Sequence, residues 1–324
     1  MTTIHDDLPR PVPPIAQLRY KENFFFIITC PEVGVFGGMH FNTEPLFGRT
    51  KFHFDFLING ERVTYHNVAP ISPSFGEEPF VSDGVATMTV HESHKLFTIV
   101  MKTQDLTLDL KFEGRFPTFD FHVCKFAAPE LTSFRDVMSF GTNLPYDHTE
   151  QSMLVSGTVQ RGGDDAIAVN GLGYRDHSWG MRGDNTVAWH TWSVINFPDY
   201  TIALMNQRAL YRSGLEAKEG FIVDAAGARV LRKIEITAAD YSAGNVLPDR
   251  LLLEGTDVLG QEYQLEADVA GRMGHVGLIP EVTNSSAPYS VTDNFCNVKD
   301  IKTGALGLGL IEFGFKPGWA DPFK

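Results

Sequence analysis

Cysteine is scarce. The 324 residues hold three, Cys30, Cys124 and Cys296, odd in number and far apart. They form no disulfide framework and no zinc knuckle, and a reducing cytoplasm fits such usage. Long apolar runs are missing too. Phe24–Cys30 is the kind of run present, far short of the ~18 residues a membrane-spanning helix needs, so no integral membrane segment is expected. The opening Met1-Thr-Thr-Ile-His-Asp-Asp-Leu-Pro-Arg10 lacks the basic start and apolar stretch of a secretory signal. Positive charge is in deficit: 27 Lys+Arg against 40 Asp+Glu give a formal net charge of −13. Such a chain repels phosphate backbones and anionic lipid surfaces, which argues against a nucleic-acid partner. No Rossmann glycine pattern, P-loop, metal triad or Gly-x-Ser-x-Gly elbow is found, so no cofactor, no metal and no acyl-enzyme chemistry are expected.

Phenylalanine is what the chain has in excess, 25 residues against 9 Tyr and 4 Trp. Much of it alternates. Phe52, Phe54, Phe56 and Ile58 share one face of Lys51–Ile58, while Lys51, His53 and Asp55 share the other. That period of two predicts a half-buried strand. Asn59-Gly60 then favours a tight turn, and Arg62–Tyr65 can return beside it. Leu106–Phe112, Phe119–Val123, Val230–Ile236, Leu251–Leu253 and Tyr263–Val269 read alike. With no long amphipathic helix and with Gly and Pro as punctuation, the class is all-β, sandwiches or barrels. Residues 1–19 are proline-rich and read as an extended arm. A polar stretch at Tyr146–Val155 suggests a junction, giving domains at 20–150 and 151–324.

One segment is chemically dense: Gly171-Leu-Gly-Tyr-Arg-Asp-His-Ser-Trp-Gly-Met-Arg182, followed by Trp189-His-Thr-Trp192. Tryptophan and histidine together suit a pocket that holds a flat or greasy ligand and moves a proton. On a strand, Tyr174, Asp176 and Ser178 take one face, and Arg175, His177 and Trp179 the other. Asp176 and His177 therefore cannot both face a pocket unless Gly173 or Gly180 supplies a bulge or strand end. The plainer reading is a buried polar network that ties a barrel end together.

The same segment, "GYRDHSWG", with Tyr146-Asp-His-Thr-Glu-Gln151 and Gly157-Thr-Val159 before it, resembles the AttH-like and carotenoid-hydratase-like family. Leu46–Asp55 and Gly307–Glu312 extend the resemblance over most of the chain. It implies two lipocalin-like β-barrel domains. In carotenoid hydratases a His-x-Trp pair is implicated, which falls on His177 and Trp179. A later Tyr-x-Asp pair of those enzymes has no counterpart after Trp192. Water addition or loss, isomerisation, cyclisation and carbon–carbon cleavage all stay open.

The reading that follows is a cofactor-free lyase, hydratase or isomerase in the cytoplasm. It would work by acid–base chemistry on a small apolar or aromatic substrate, terpenoid, polyketide or lignin-like, bound between the two β domains, with a homodimer as the assembly to test. His177, Asp176 and Tyr174 are the catalytic candidates. An imidazole titrates near neutrality, and a neighbouring carboxylate can orient it. Trp179, Arg182, Trp189, His190, Trp192 and Tyr146 are the substrate-binding candidates, the indoles supplying a wall for a developing cation. The alternative is a lipocalin-like carrier of a hydrophobic molecule with no chemistry. Among weaker signals, His91-Glu-Ser-His94 reads as a poor metal pair, its imidazoles on opposite strand faces. His53 and Asp55 read as an exposed strand face. Glycine-rich Gly304–Gly314 reads as a closely packed strand with Glu312 held in a network.

Overall fold

A computed structural model of the chain describes residues 7–11, 20–121, 124, 146–181, 187–209, 216–242, 247–278 and 290–315. These fall into two compact units, the first drawn from 1–120 and 145–182, the second from 121–144 and 183–324. Among the described residues there is no α-helix, and none long and apolar enough to cross a membrane.

The first unit holds β1 (Tyr20–Cys30), β2 (Val35–Glu44), β3 (Arg49–Ile58), β4 (Glu61–Pro70), β5 (Phe80–Ser82), β6 (Ala86–Glu92), β7 (Leu96–Lys102), β8 (Leu106–Gly114), β9 (Phe119–Asp120), β10 (Tyr146–Arg161) and β11 (Ile167–Met181). They form one antiparallel sheet in the order β4-β3-β2-β1-β11-β10-β8-β7-β6-β5, with β9 beside β10. The sheet curls over a phenylalanine core. Phe26 of β1 meets Phe112 of β8 and Phe97 of β7 at ring distances of 5.0 and 5.6 Å. Each ring so buried contributes about 1.5–3 kcal/mol relative to exposure. The turn after β3 forms as its sequence implies, with Asn59 and Gly60 both at positive φ (51° and 82°).

Two expectations meet differences here. Lys51–Ile58 is buried on both faces, Lys51, His53 and Asp55 included, because a hydrogen-bonded polar cluster replaces solvent on the second face. Tyr146–Val155, read as a junction, runs inside β10, paired with β11 along its length. The polar residues that suggest a linker there include Glu150, Gln151 and Ser152, all buried in the sheet.

The second unit holds β12 (Val187–Asn196), β13 (Tyr200–Ala209), β14 (Glu216–Asp224), β15 (Gly227–Ala238), β16 (Arg250–Asp257), β17 (Glu262–Asp268), β18 (Gly274–Leu278), β19 (Ser290–Asp300) and β20 (Leu306–Phe315). The order β17-β16-β15-β14-β13-β12-β20-β19, with β19 also paired to β17, closes a barrel of eight strands, and β18 lies outside it on β19. Ile195, Phe197, Ile202, Ile222, Leu253 and Ile311 are among its inner core. Gly304–Gly314 contains most of β20, where Gly307 and Gly309 lie against Phe197 and Ile195, and Glu312 is bound by His190.

Candidate active site

Strand β11 lies between β1 and β10, so its dense segment is flanked on both sides by hydrogen-bonded strands. Strict alternation splits that segment into two clusters on opposite faces of one sheet.

The inner cluster lies with the phenylalanine core. Phe24 pairs with His177, and Phe26 with Arg175. The His177 imidazole is fully buried (0% exposed), stacked on Phe24 at 3.9 Å and tilted against Trp179 at 4.5 Å. Its Nε2 is 2.8 Å from Glu22 Oε1, and its Nδ1 is 3.6 Å from Asp7 Oδ1. The Arg10 backbone N–H donates to both Glu22 oxygens, and the Arg10 guanidinium lies over Trp179. Arg175 donates to Asp7 Oδ1 at 2.8 Å, Gln151 Oε1 at 3.0 Å and Thr118 Oγ1 at 3.1 Å. Asp7 also accepts the His94 backbone N–H at 2.7 Å. Burial pushes the Asp7 carboxyl up, but Arg175, His177 and His94 outweigh it and hold it well below its usual range. Burial leaves Glu22 raised despite its contacts with His177 and Arg10. The segment Asp7–Arg10 thus caps the polar end of the inner face.

The outer cluster joins Tyr174 and Asp176 to His148 and Glu150 of β10. His148 Nε2 lies 2.8 Å from Asp176 Oδ2 and 3.0 Å from Glu150 Oε1, and the Tyr174 hydroxyl donates to Glu150 Oε2. Glu150 is 0% exposed, whereas the side chains of His148 and Asp176 are 13% and 16% exposed. Burial raises Glu150. It would depress His148, but the charges of Asp176 and Glu150 win and hold the imidazole well above its ordinary value. Burial and then Glu150 drive Tyr174 well up. Burial and neighbouring like charge together favour the protonated forms in such a cluster.

Successive strands extend it. Glu150, Asp176, Phe25, His40, His53 and His66 face one another directly across β10, β11, β1, β2, β3 and β4. Phe25 stacks on His40 at 3.8 Å. Gly38 makes room, since a Cβ there would sit 2.9 Å from the Phe25 ring. His53 stacks on His66 at 3.9 Å and lies 2.6 Å from Asp55, which Arg62 also binds. Hence His53 and Asp55, expected on an exposed face, form a buried pair. Burial raises Asp55, but His53 and Arg62 outweigh it and hold the carboxyl down. Two sets, His53/Asp55/His66 and His148/Glu150/Asp176, bring ligand-type atoms within 4.8 Å of one another. In both, those atoms already contact each other as acid and base.

The other candidates are divided between the two units. Trp189, His190 and Trp192 belong to the second unit, Trp179 to the first. His190 is 2.5 Å from Glu312 on the outside of the barrel, and Trp192 pairs with Glu312 across β20. Trp189 faces Arg208 on the inside. Arg182 lies outside the described residues, as does the side chain of Tyr146. His91 bonds Thr98 at 2.8 Å while His94 lies on Asp7, so the two do not converge. Sequence reasoning missed His148, Glu150, Glu22, Asp7 and Arg10 as partners. The alternation His148, Glu150, Ser152 was a usable signal, but which strand faces it depends on long-range pairing.

The family model described as "Domain of unknown function (DUF7064)" matches residues 4–316. The chain belongs to that family. A comparison with curated proteins finds no match. Solved structures share the fold. An AttH-type protein of Nitrosomonas europaea (NE1406) is 14% identical, with 96% of this chain and 98% of that one covered and a TM-score of 0.63. Kievitone hydratase of Nectria haematococca is 14% identical over 96% and 91%, with a TM-score of 0.62. CghA, solved with Sch210972, is 12% identical over 98% and 97%, with a TM-score of 0.59. The DUF7064 chain therefore has the AttH-like, lipocalin-like fold that its GYRDHSWG segment resembles.

Proposed function

We propose that this DUF7064 chain is an acid–base enzyme of hydratase, lyase or isomerase type. It acts on a small apolar or aromatic substrate, and the cluster Tyr174–Glu150–His148–Asp176 moves the proton. The observation that carries the reading is the outer cluster itself. It holds an imidazole between two carboxyl groups, one of them fully buried, and only His148 and Asp176 of that trio are partly exposed. The presence of a hydratase by name among structures of the same fold supports the reaction class.

In water addition to a carbon–carbon double bond, His148 delivers its proton to one carbon. Water attacks the other carbon, and Asp176 takes the proton that water releases. Transfer along the His148–Asp176 hydrogen bond restores both groups, so atoms and charge balance. Isomerisation uses the same donor and acceptor without water. Phe25, stacked on His40 beside Asp176, offers an aromatic face to a developing cation, an interaction of up to ~2 kcal/mol when desolvated. Glu150 and Tyr174 act as positioning groups that hold the imidazole charged. His177, locked between Glu22 and Asp7, fixes β11 against β1.

The test incubates the full chain in deuterated water with a panel of aryl alkenes and enones. Gain of one water or of carbon-bound deuterium is scored by mass spectrometry. Asp176→Asn and His148→Gln should each lower turnover by ~100-fold or more per folded molecule. His177→Ala should lower thermal stability more than turnover per folded molecule. The reverse pattern would move the chemistry to the inner face and overturn the assignment. A panel left unchanged, with an intact molecule co-purifying, would favour the carrier.

A further inference from the structure

The closed barrel of the second unit carries an inner wall that the acid–base reading does not use. Its inward positions on β12 are Thr191, Ser193 and Ile195, since Ile195 belongs to the barrel core. Two rows of directly opposed residues cross four adjacent strands at this level. Asn206, Thr191, Phe313 and Thr292 make one; Leu204, Ser193, Ile311 and Asn294 make the next. Beyond them the core is apolar, with Ile202, Ile195 and Cys296.

Thr191, Ser193 and Asn294 are 0% exposed and Asn206 is 3% exposed. Yet Thr191 Oγ1, Ser193 Oγ, Asn206 Oδ1, Asn294 Oδ1 and Thr292 Oγ1 find no hydrogen-bond partner among the described residues. The Asn294 amide is fixed, because its Nδ2 donates to the backbone oxygens of Thr292 and Ile311, so its Oδ1 is the end left over. One such buried oxygen disfavours folding by about 1–3 kcal/mol. Five gathered on one wall of an otherwise largely apolar barrel core call for a partner, since valine or leucine would pack there without that penalty.

One end of this wall is aromatic and electrically balanced. Trp189 pairs across the ladder with Arg208, whose guanidinium sits 5.2 Å from the indole. Arg208 is itself ion-paired to Glu216. The unused atoms are two amide acceptors and three hydroxyls, with no unpaired charge among them. They match a neutral molecule that presents hydroxyl hydrogens, and Trp189 and Phe313 match a flat apolar body.

We propose that this end of the barrel is a second binding site, for a small neutral hydroxylated aromatic molecule. It is held by hydrogen bonds to Thr191, Ser193, Asn206 and Asn294 and packed on Trp189 and Phe313. The site stands whether or not the first unit is an enzyme.

Isothermal titration calorimetry of the full chain with catechol tests it, with toluene as the match that lacks hydroxyls. Catechol should bind saturably and toluene at least tenfold more weakly. Thr191→Val combined with Ser193→Ala keeps the shape and removes both hydroxyls. It should weaken catechol by about tenfold or more while the chain still melts cooperatively. Asn206→Leu is the substitute if the double variant does not fold. Asp176→Asn should leave this binding unchanged, which separates it from the first unit's chemistry. Absence of saturable catechol binding, equal binding of toluene, or unchanged affinity in the folded variants would each overturn the proposal.

Discussion

Asp7 bears more than its place in a short arm suggests. It compensates Arg175, whose guanidinium is 1% exposed and meets no other carboxylate among the described residues. Removing one member of a buried ion pair leaves the other uncompensated, which disfavours folding by about 3–5 kcal/mol. Asp7→Asn should lose that much in urea unfolding at neutral pH, and an unchanged midpoint would show the arm to be ornamental. Two groups also give the stability curve a sign. Asp7 has a lowered carboxyl, so the unfolded chain binds its proton first, and this contribution is lost as pH falls below the ordinary carboxylate range. His148 is raised, so the folded chain keeps its proton longer. Its contribution is full below the ordinary imidazole value and is lost as pH climbs through the folded one. Unfolding measured from neutral to alkaline pH should therefore show stability falling, and His148→Gln should flatten that limb. A slope of the same size in the variant would remove His148 from the account.

At the scale of the strand, β10 shows how the motifs resembling the AttH-like family are used. Gly157 sits mid-strand at φ 133°, and a Cβ there would lie 2.0 Å from the Asp109 backbone oxygen of β8. Only glycine combines that backbone with so close an approach. Gly157→Ala should destabilise by about 1–3 kcal/mol or more through strain and a displaced β8 ladder; a midpoint within error of wild type would contradict this. Gly157 is part of the quoted Gly157-Thr-Val159, yet nothing local in those three residues announces the contact with β8. The alternation of Phe52, Phe54, Phe56 and Ile58 was legible because it needs only one strand. So was the Asn59-Gly60 turn, whose dihedrals are local. The opposition of Asp176 and His177 across one sheet also followed from period two alone. The partners of each did not: Glu22 and Asp7 lie 155 and 170 residues away from His177 (177 − 22; 177 − 7), Glu22 meeting it through the pairing of β1 with β11 and Asp7 from the segment before β1.

For the whole molecule, composition and periodicity were enough for an all-β chain, and sequence resemblance for the lipocalin-like fold. The unit boundaries were not legible at Tyr146–Val155, since polarity there marks a buried polar face and not a linker. Strand β11 is what decides the first unit. It pairs with β1 on one side and β10 on the other, so it joins the two halves of the curled sheet although it follows β9 by more than forty residues (167 − 120 = 47). A chain ending at residue 150 keeps β1–β9 and only the first residues of β10. It leaves β1 and β8 as open edges, and it strips Arg175 and His177 from Asp7 and Glu22. Unpaired edges beside a phenylalanine-rich face favour aggregation. Residues 1–150 should therefore be insoluble or lack a cooperative melt. Residues 1–182, which restore β10 and β11 whole, should recover antiparallel-sheet circular dichroism and a sharper transition. Equal behaviour of the two fragments, both folded or both not, would show that β11 is not the strand on which closure of the first unit depends.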